Sequence, residues 1–198
     1  MLARVKLVLV RHGATEWSVS GQHTGNTDLS LIDEGRQQAR AAQGRILSNI
    51  EPATKVRIYS SPLRRALETV ALTMGPDADV EIDERIREFD YGDYEGMTKT
   101  EIHVSNPGWT VFDGCPGGET LETVVARVDE FLAHALADTT VSTTVIFAHG
   151  HLLRILGARA ICQPGGFARH LSLDTSAVCV ISDLRDGPAI TLWNDASS

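Results

Sequence analysis

Two short apolar runs in this chain are each followed within a few residues by the dipeptide His-Gly. One run covers Val5–Val10 and the other covers Thr143–Ala148. Both runs are shorter than a stable helix needs, and both are apolar at successive positions, which indicates strands buried on both faces. We therefore predict two strands inside a parallel sheet. In such sheets, ligands bind beyond the carboxyl ends of the strands, where both His-Gly pairs fall.

Elsewhere the pattern alternates between short strands and amphipathic helices. Strands that alternate with helices predict an α/β fold with a largely parallel sheet. The other predicted strands are Val56–Tyr59, Val80–Ile82, and the pair Ala177–Ser182 and Ala189–Trp193 around a turn at 186–188. The predicted helices are Ser30–Ser48, Pro62–Met74, residues 98–104, Glu119–Ala137 and His151–Ile161. Residues 14–30 are expected to form a long loop, and 84–118 an irregular segment.

Length and charge narrow the class of protein. The chain has 198 residues, of which 42% are hydrophobic, and this suits a single domain over residues 1–198. Its net charge of −8 argues against non-specific nucleic-acid binding, which depends on basic surfaces. A few arginines in a pocket can still attract a small anionic substrate.

The three cysteines give a prediction about the compartment. Cys115, Cys162 and Cys179 are far apart and have no Cys-x-x-Cys spacing, so neither a disulfide framework nor a zinc site is expected. Free thiols favour a reducing, cytoplasmic location. The apolar run ending at Val10 is too short for a signal peptide, and no segment reaches membrane-spanning length.

Charged and polar residues follow the predicted strands. If the strand ends meet at one edge of the sheet, a pocket there holds arginines, two histidines and a carboxylate. Arginine binds phosphate oxygens bidentately, imidazole can attack phosphorus, and a carboxyl group can protonate a leaving oxygen. These groups suit phosphoryl transfer, which depends mainly on positioning and charge neutralisation. The candidate residues are Arg11, His12, Arg64, Arg65, Glu88 and His149.

The order of the motifs resembles the histidine phosphatase superfamily, the phosphoglycerate-mutase-like group. The matching motifs are Arg11-His12-Gly13, Ser61-Pro62-Leu63-Arg64-Arg65-Ala66, Arg87-Glu88, Tyr91-Gly92-Asp93-Tyr94-Glu95-Gly96 and Ala148-His149-Gly150. They extend over about three quarters of the chain, from Leu7 to Arg154. The resemblance implies a three-layer α/β/α fold with a mostly parallel central sheet.

The resemblance also implies a role for each pocket residue. His12 matches the residue that becomes phosphorylated, and Arg11 matches its phosphate-binding neighbour. Arg65, directly before Ala66, matches the family's pocket arginine, so Arg64 is expected to be a solvated helix residue. Glu88 matches the acid/base carboxylate, and His149 matches the histidine that stabilises the transferring phosphoryl group. Glu95 matches a position that is structural.

A narrower resemblance concerns the substrate. Several motifs, including Thr15-Glu16-Trp17-Ser18 and Gly118-Glu119-Thr120, are similar to those of sedoheptulose-bisphosphatase-type members. In these proteins, an arginine placed like Arg154 binds the far phosphate, whereas His23 stands where a tyrosine is usual. Thr24 and Gly25 match a loop that touches substrate. The candidate substrate-binding residues are Thr24, Gly25, Tyr91, Gly150, Arg154 and His23.

The remaining histidines have weaker signals. His103 and His134 lie on predicted helices and are expected at the surface, and His170 lies outside any motif. His151 either lines the pocket or caps a helix. His23 either contacts substrate or faces water. No metal or other cofactor is expected, because the cationic side chains already supply positive charge.

We therefore interpret the chain as a phosphoric monoester hydrolase of the histidine acid phosphatase type. Its expected partner is a small phosphorylated metabolite such as a sugar phosphate or bisphosphate, with no nucleic acid or membrane, and a homo-oligomer is left open. A broad-specificity acid phosphatase is a rival interpretation. A phosphoglycerate-type mutase is a further alternative, although only 60 residues separate Glu88 from His149 and mutases carry a longer insertion there. The last alternative is a non-catalytic phospholigand-binding regulator on the same fold.

Overall fold

The computed structural model describes residues 5–196. Within this range the strands are β1 (Lys6–Arg11), β2 (Val56–Ser60), β3 (Val80–Ile82), β4 (Thr143–Ala148), β5 (Val178–Leu184) and β6 (Gly187–Asp195). The α-helices are α1 (Glu16–Ser20), α2 (Asp33–Leu47), α3 (Arg64–Met74), α4 (Lys99–Ser105), α5 (Leu121–Ala135) and α6 (Gly150–Ala160). Short 3₁₀ segments lie at Glu84–Ile86, Gly92–Tyr94, Val111–Asp113 and Gly165–His170.

The described strands form one mixed sheet in the order β3-β2-β4-β1-β5-β6. The pairings of β1 with β4, β4 with β2 and β2 with β3 are parallel. The pairings of β1 with β5 and β5 with β6 are antiparallel. The sheet is therefore mostly parallel, as predicted, with the antiparallel pairs at one side.

Two apolar layers cover the sheet, one on each face. Leu7 and Leu9 of β1 pack with residues of α5 and α6, whereas Val8 and Val10 pack with α2 and α3. All four side chains are buried, which explains the continuous apolar run in β1. The arrangement confirms a three-layer α/β/α fold.

The parallel core of the sheet brings three strand ends together. Since β1, β2 and β4 run in the same direction, the residues after Arg11, Ser60 and Ala148 emerge at one edge. His12 extends the ladder by one step, because its backbone N–H donates to the carbonyl oxygen of Ala148 at 3.0 Å. The sequence prediction that these ends meet is correct.

The loop predicted over 14–30 contains a short helix instead of continuous coil. The side chain of Thr15 accepts from the backbone N–H of Ser18, and the Ser18 hydroxyl accepts from the backbone N–H of Thr15. This capping box stabilises α1, which at five residues is too short to show an apolar periodicity. The predicted long loop therefore contains one short helix that the sequence did not predict.

Two element boundaries also differ from the prediction. Helix α2 begins at Asp33, and Ser30 instead accepts a hydrogen bond from the Arg64 guanidinium. The turn between β5 and β6 consists of residues 185–186, because Leu184 already pairs with Gly187. Gly187 adopts a φ of 117° and Pro188 lies in the edge strand β6, where a missing N–H is tolerated.

Candidate active site

His12 lies directly beyond β1, and its side chain is held in one tautomer. Its Nδ1 is 2.7 Å from the carbonyl oxygen of Gly13. A carbonyl oxygen only accepts, so Nδ1 carries the proton and Nε2 keeps its lone pair in the neutral ring. The pKa of His12 is well below its usual value, mainly because the ring is buried and also because Arg65 and Arg11 lie nearby. The geometry thus gives a neutral imidazole with a nucleophilic Nε2.

The glycine after His12 is required by a close approach of two backbones. A Cβ atom at Gly13 would lie 2.3 Å from the carbonyl oxygen of Gly35, near the start of α2. The N–H of Gly13 donates to the hydroxyl of Thr69 in α3. Both contacts fix the turn that places His12 at the sheet edge.

Arg65, in the first turn of α3, is fully buried and bound to the loop that follows α1. Its Nη atoms donate to the carbonyl oxygens of Thr24, Gly25 and Thr27 at 3.0–3.1 Å. Its Nε donates to Nδ1 of His149 at 3.2 Å. Burial lowers the pKa of Arg65, although Glu88 and other acidic groups oppose that shift.

His149 follows β4 and packs behind His12, with the ring centroids 5.2 Å apart. Since its Nδ1 accepts from Arg65, its Nε2 donates to the hydroxyl of Ser61 at 2.7 Å. Burial, followed by the charges of nearby arginines and His12, holds the pKa of His149 well below its usual value. Its imidazole is therefore neutral.

Glu88 is 7% exposed, and three backbone N–H groups hold its carboxylate. Oε1 accepts from Phe89 at 3.0 Å and from Leu152 at 2.9 Å, and Oε2 accepts from His151 at 3.1 Å. Two of these donors belong to the first turn of α6, where the helix dipole favours a negative charge. Helix α6 therefore fixes the orientation of Glu88.

Arg127 of α5 holds the backbone that carries Glu88. Its guanidinium donates to the carbonyl oxygens of Arg85, Arg87 and Glu88 at 2.6–3.2 Å. The same guanidinium forms a bidentate pair with the carboxylate of Glu119 at 2.8 and 2.9 Å. Glu88 is thus anchored on its carboxylate by α6 and on its backbone by α5.

A cavity of about 200 Å³ opens beside His12 and Glu88. Arg11 lies in its wall, with one Nη donating to the carbonyl oxygen of Leu173. The buried Nε of Arg11 has no hydrogen-bond partner among the described residues. A Cβ at Gly150 would lie 3.3 Å from this Nε, so glycine lets the start of α6 approach the guanidinium. A polar group on a ligand could satisfy this orphan donor.

The matches to known proteins decide the family. The model of the histidine phosphatase superfamily (branch 1) matches residues 7–196. The chain belongs to the histidine phosphatase superfamily. Nearly all of the described fold lies within the matched range.

Several members of this superfamily are similar to the chain. An acid phosphatase of Mycobacterium tuberculosis is 36% identical over 174 residues, which cover 87% of this chain and 84% of the relative. A sedoheptulose 1,7-bisphosphatase of Saccharomyces cerevisiae is 35% identical over 179 residues, covering 77% of this chain and 66% of the relative. A solved structure of an open-reading-frame product of Mycobacterium tuberculosis matches 96% of this chain and 97% of its own, with a TM-score of 0.89 at 32% identity.

These histidine phosphatase relatives support a hydrolase that acts on phosphate esters. Bacterial 2,3-bisphosphoglycerate-dependent phosphoglycerate mutases are also among the relatives, at 33–34% identity. These relatives therefore establish the family, and their names state different substrates and reactions.

The structure places three of the five candidate catalytic residues of this histidine phosphatase in the cavity wall. Arg11, His12 and Glu88 line it, whereas Arg65 and His149 lie behind His12 and are bound to other protein groups. All five are gathered at the same sheet edge, as the sequence predicts. The sequence did not predict that the guanidinium of Arg65 is hydrogen-bonded to the loop after α1.

The candidate substrate-binding residues also fall into two groups, those that line the cavity and Gly25, which does not. The cavity is lined by Thr24, His23, Tyr91, Gly150 and Arg154. Gly25 is not in the wall, so its predicted contact with substrate is not supported. Its N–H donates to Glu95 and its carbonyl accepts from Arg65, and a Cβ there would lie 2.4 Å from the carbonyl oxygen of Phe89. Gly25 is therefore a packing position.

Glu95 has the structural role that the resemblance implies. Its carboxylate accepts from the backbone N–H groups of Gly25 and Thr27 at 2.9–3.0 Å. Arg64, as predicted, is an exposed residue of α3. Glu95 therefore stabilises the loop after α1, and Arg64 is a surface residue.

His23 and His151 both lie in the wall of the cavity, so His151 lines the pocket, and the contact of His23 with substrate stays a prediction. His151 Nδ1 is 2.6 Å from the hydroxyl of Tyr91, and His23 Nδ1 is 2.8 Å from the carbonyl oxygen of Met97. The sequence did not assign His151 to the site, although its position next to His149-Gly150 was a signal. It also missed these wall residues: Thr15, Trp17, Ser18, Gly21, Gln22 and Leu173.

The remaining histidines and the cysteines lie outside the cavity. His134 and His170 are exposed, and His103 is half-buried with its Nε2 donating to the carbonyl oxygen of Trp109. The three cysteines are free thiols. Among residues 5–196, no cluster of three or more His, Cys, Asp and Glu side chains is placed to hold a metal ion. Over the same residues, every helix is too short or too polar to span a bilayer.

Proposed function

We propose that this histidine phosphatase hydrolyses phosphate monoesters through a phosphohistidine on His12. The observation that carries the proposal is the tautomer of His12, whose Nδ1–H is bound to Gly13 and whose Nε2 keeps its lone pair, in a residue that lines the same cavity as Glu88. A neutral, fixed imidazole is a competent nucleophile for phosphorus.

His12, Glu88 and water together supply every group that the hydrolysis needs. Nε2 of His12 forms a bond to phosphorus as the bond from phosphorus to the ester oxygen breaks, and protonated Glu88 gives its proton to the leaving oxygen. Water then attacks the phosphohistidine while the Glu88 carboxylate takes its proton. Inorganic phosphate leaves, and both side chains return to their starting forms.

Positive groups around His12 would stabilise the negative charge that spreads over the phosphoryl oxygens. Arg11 offers the unpartnered Nε, and the N-terminus of α6 begins at Gly150 beside it. Preorganised donors of this kind account for a large part of phosphoryl-transfer catalysis. Arg65 and His149 pack against this centre, and burial together with the charges of Arg65 and Arg11 keeps His12 neutral.

We further propose that the substrates are small sugar phosphates or bisphosphates. Arg154 lines the cavity, with its guanidinium 5.0 Å from the centroid of the Phe112 ring and its Nε bound to the carbonyl oxygen of Ala168. Its remaining N–H groups can bind a second anion away from His12. The similarity to a sedoheptulose 1,7-bisphosphatase supports this assignment.

The substrate proposal is tested with matched esters. Fructose bisphosphate and sedoheptulose bisphosphate should exceed the corresponding monophosphates in kcat/KM. Arg154→Ala should reduce that ratio to near one. Arg169→Ala is the control, since the Arg169 guanidinium lies 5.9 Å from the same Phe112 ring without lining the cavity. Equal efficiency of the wild type on both classes would leave a broad-specificity acid phosphatase.

A mutase is the second candidate, because phosphoglycerate mutases are among the relatives. Product analysis separates the two reactions. With phosphoglycerate or a sugar phosphate, most turnover should release inorganic phosphate. Faster formation of an isomeric phosphoester would make the protein a mutase. Binding of the esters with no turnover by either route would support the regulator alternative.

A further inference from the structure

We propose that His151 and His23 form a subsite for a hydroxyl group close to the ester oxygen, so that the preferred substrates are phosphate monoesters of polyols. This inference rests on the proposed phosphatase function. It concerns the part of the substrate that leaves, and it is separate from the second anion assigned to Arg154.

The proposal assigns His151 the tautomer in which Tyr91 donates to its Nδ1. The hydroxyl of Tyr91 has His151 Nδ1 as its hydrogen-bond partner among the described residues, at 2.6 Å. Burial raises the pKa of Tyr91 well above its usual value, so the phenol keeps its proton and is available as the donor to Nδ1. Burial and the charge of Arg154 hold the pKa of His151 well below its usual value, so the ring is neutral. With Tyr91 as the donor, the proton of the neutral His151 ring lies on Nε2.

His23 has the opposite arrangement. Its Nδ1 donates to the carbonyl oxygen of Met97 at 2.8 Å, so Nε2 of the neutral ring is an acceptor. The ring is packed edge-to-face against Tyr91 and Trp109, with centroids 4.9 and 5.3 Å away. These contacts fix the ring plane as well as the tautomer.

Both rings line the same cavity and are nearly parallel, with an interplanar angle of 5° and centroids 6.1 Å apart. Neither Nε2 has a hydrogen-bond partner among the described residues. Both atoms are at least partly accessible, since neither belongs to the fully buried polar atoms that lack a partner. The wall therefore offers one N–H donor, from His151, and one acceptor, from His23. A hydroxyl group satisfies both, because it accepts and donates.

Other leaving-group substituents fit this pair less well. A carboxylate or a second phosphate could accept from His151, yet it has no hydrogen to donate to an acceptor at His23. A methylene group would leave the donor and the acceptor unpaired, which carries a desolvation cost. The subsite therefore selects for a hydroxyl over an anion or an alkyl group.

The subsite lies beside the proposed acid. The backbone N–H of His151 donates to Glu88 Oε2, the carboxylate that would protonate the leaving oxygen. The residue whose backbone binds this carboxylate thus also carries a ring in the cavity wall, and the proposal assigns that ring to a hydroxyl of the leaving group.

The experiment compares glycerol 3-phosphate with propyl phosphate, which lacks both hydroxyl groups. Wild type should prefer glycerol 3-phosphate by about tenfold in kcat/KM, the order expected for one well-formed hydrogen-bonded site. His151→Phe should reduce the preference to about onefold, and Tyr91→Phe should reduce it partly. His134→Phe is the control, since His134 is exposed and outside the cavity.

Two outcomes separate this inference from the proposed function. Hydrolysis of both esters by wild type with equal efficiency, or an unchanged preference in folded His151→Phe, would overturn the subsite alone. Failure of wild type to hydrolyse any phosphate ester would overturn the proposed function. Thermal denaturation of each variant shows whether it is folded.

A second measurement observes the two tautomers directly in the wild type. In a long-range ¹H–¹⁵N NMR spectrum of the wild type, His151 should show an unprotonated Nδ1 and a protonated Nε2, and His23 the reverse. Assignment uses single His→Gln variants for the peaks. Finding both rings in the same tautomer would contradict the donor–acceptor pair.

Discussion

Arg64 and Arg65 are neighbours in sequence with different surroundings. Arg65 is fully buried and donates to three carbonyl oxygens and to His149. Arg64 is exposed, and its guanidinium has a hydrogen bond to Ser30. One side chain therefore joins the active-site loop to His149, and the other lies at the surface of α3.

We predict that Arg65→Ala lowers kcat/KM at least about a hundredfold and the free energy of unfolding by about 2 kcal/mol or more. The substitution leaves buried carbonyl oxygens unpaired and releases the loop beside the cavity. Arg64→Ala should change the free energy of unfolding by less than about 0.5 kcal/mol and leave activity near normal. Enzyme assays and urea unfolding measure both, and equal effects would contradict the assignment.

The position of an individual residue in the site was predictable from the sequence where the motif that contains it has a single role. His12, Glu88 and Arg11 lie in the cavity wall as expected. Gly25 lies outside the wall, and the sequence did not show this because a motif match does not reveal which side of a loop a backbone faces. His151 remained ambiguous because its environment depends on Tyr91, 60 residues away in the chain.

Among the secondary-structure elements, α5 and α6 together determine where Glu88 lies. Helix α6 supplies N–H groups to its carboxylate, and Arg127 of α5 binds the carbonyl oxygens of Arg85, Arg87 and Glu88 itself. Lysine cannot reproduce the several fixed donors of a guanidinium. Arg127 is therefore a positioning residue for the proposed acid and base.

We predict that Arg127→Lys lowers kcat about tenfold and shifts the limb of the pH–rate profile that belongs to Glu88, with little change in KM. A purely structural role would reduce stability without changing the pH profile of the folded enzyme. Arg159→Lys is the matched control, because Arg159 pairs with Asp129 between α5 and α6 and is remote from the cavity. An unchanged profile in Arg127→Lys would refute the positioning role.

The regular elements were predictable to different degrees. Strand β4 has the predicted bounds, since every residue from Thr143 to Ala148 is buried. Helix α1 was missed because five residues give no periodic pattern, and its stability comes from the box between Thr15 and Ser18. The 3₁₀ segment at Gly165–His170 was missed for the same reason of length.

Across the whole molecule, three neutral histidines couple folding to pH. The pKa values of His12, His149 and His151 in the folded chain are well below the usual value. The unfolded chain therefore binds more protons than the folded chain below a pH of about 6.5. Their stabilising contribution is fully present above that pH and is lost as the pH falls.

We predict that the free energy of unfolding decreases as the pH is lowered from 7 to 5, by up to about 1.4 kcal/mol per pH unit for each histidine. Urea unfolding across this range measures the slope. His149→Gln should reduce this slope by about the contribution of one histidine. His170→Gln, at an exposed position, should leave it unchanged. A stability that is constant or rises on acidification would contradict neutral buried histidines.

The covalent intermediate on His12 tests the account most directly. We expect wild type, quenched during turnover of a ³²P-labelled ester, to carry one phosphoryl group that is stable in alkali and labile in acid, as a phosphoimidazole is. Peptide mapping should place the label on His12, and His12→Ala should carry none. Label on a serine, aspartate or cysteine, or turnover by wild type with no phosphoenzyme under any quench condition, would contradict nucleophilic catalysis by His12.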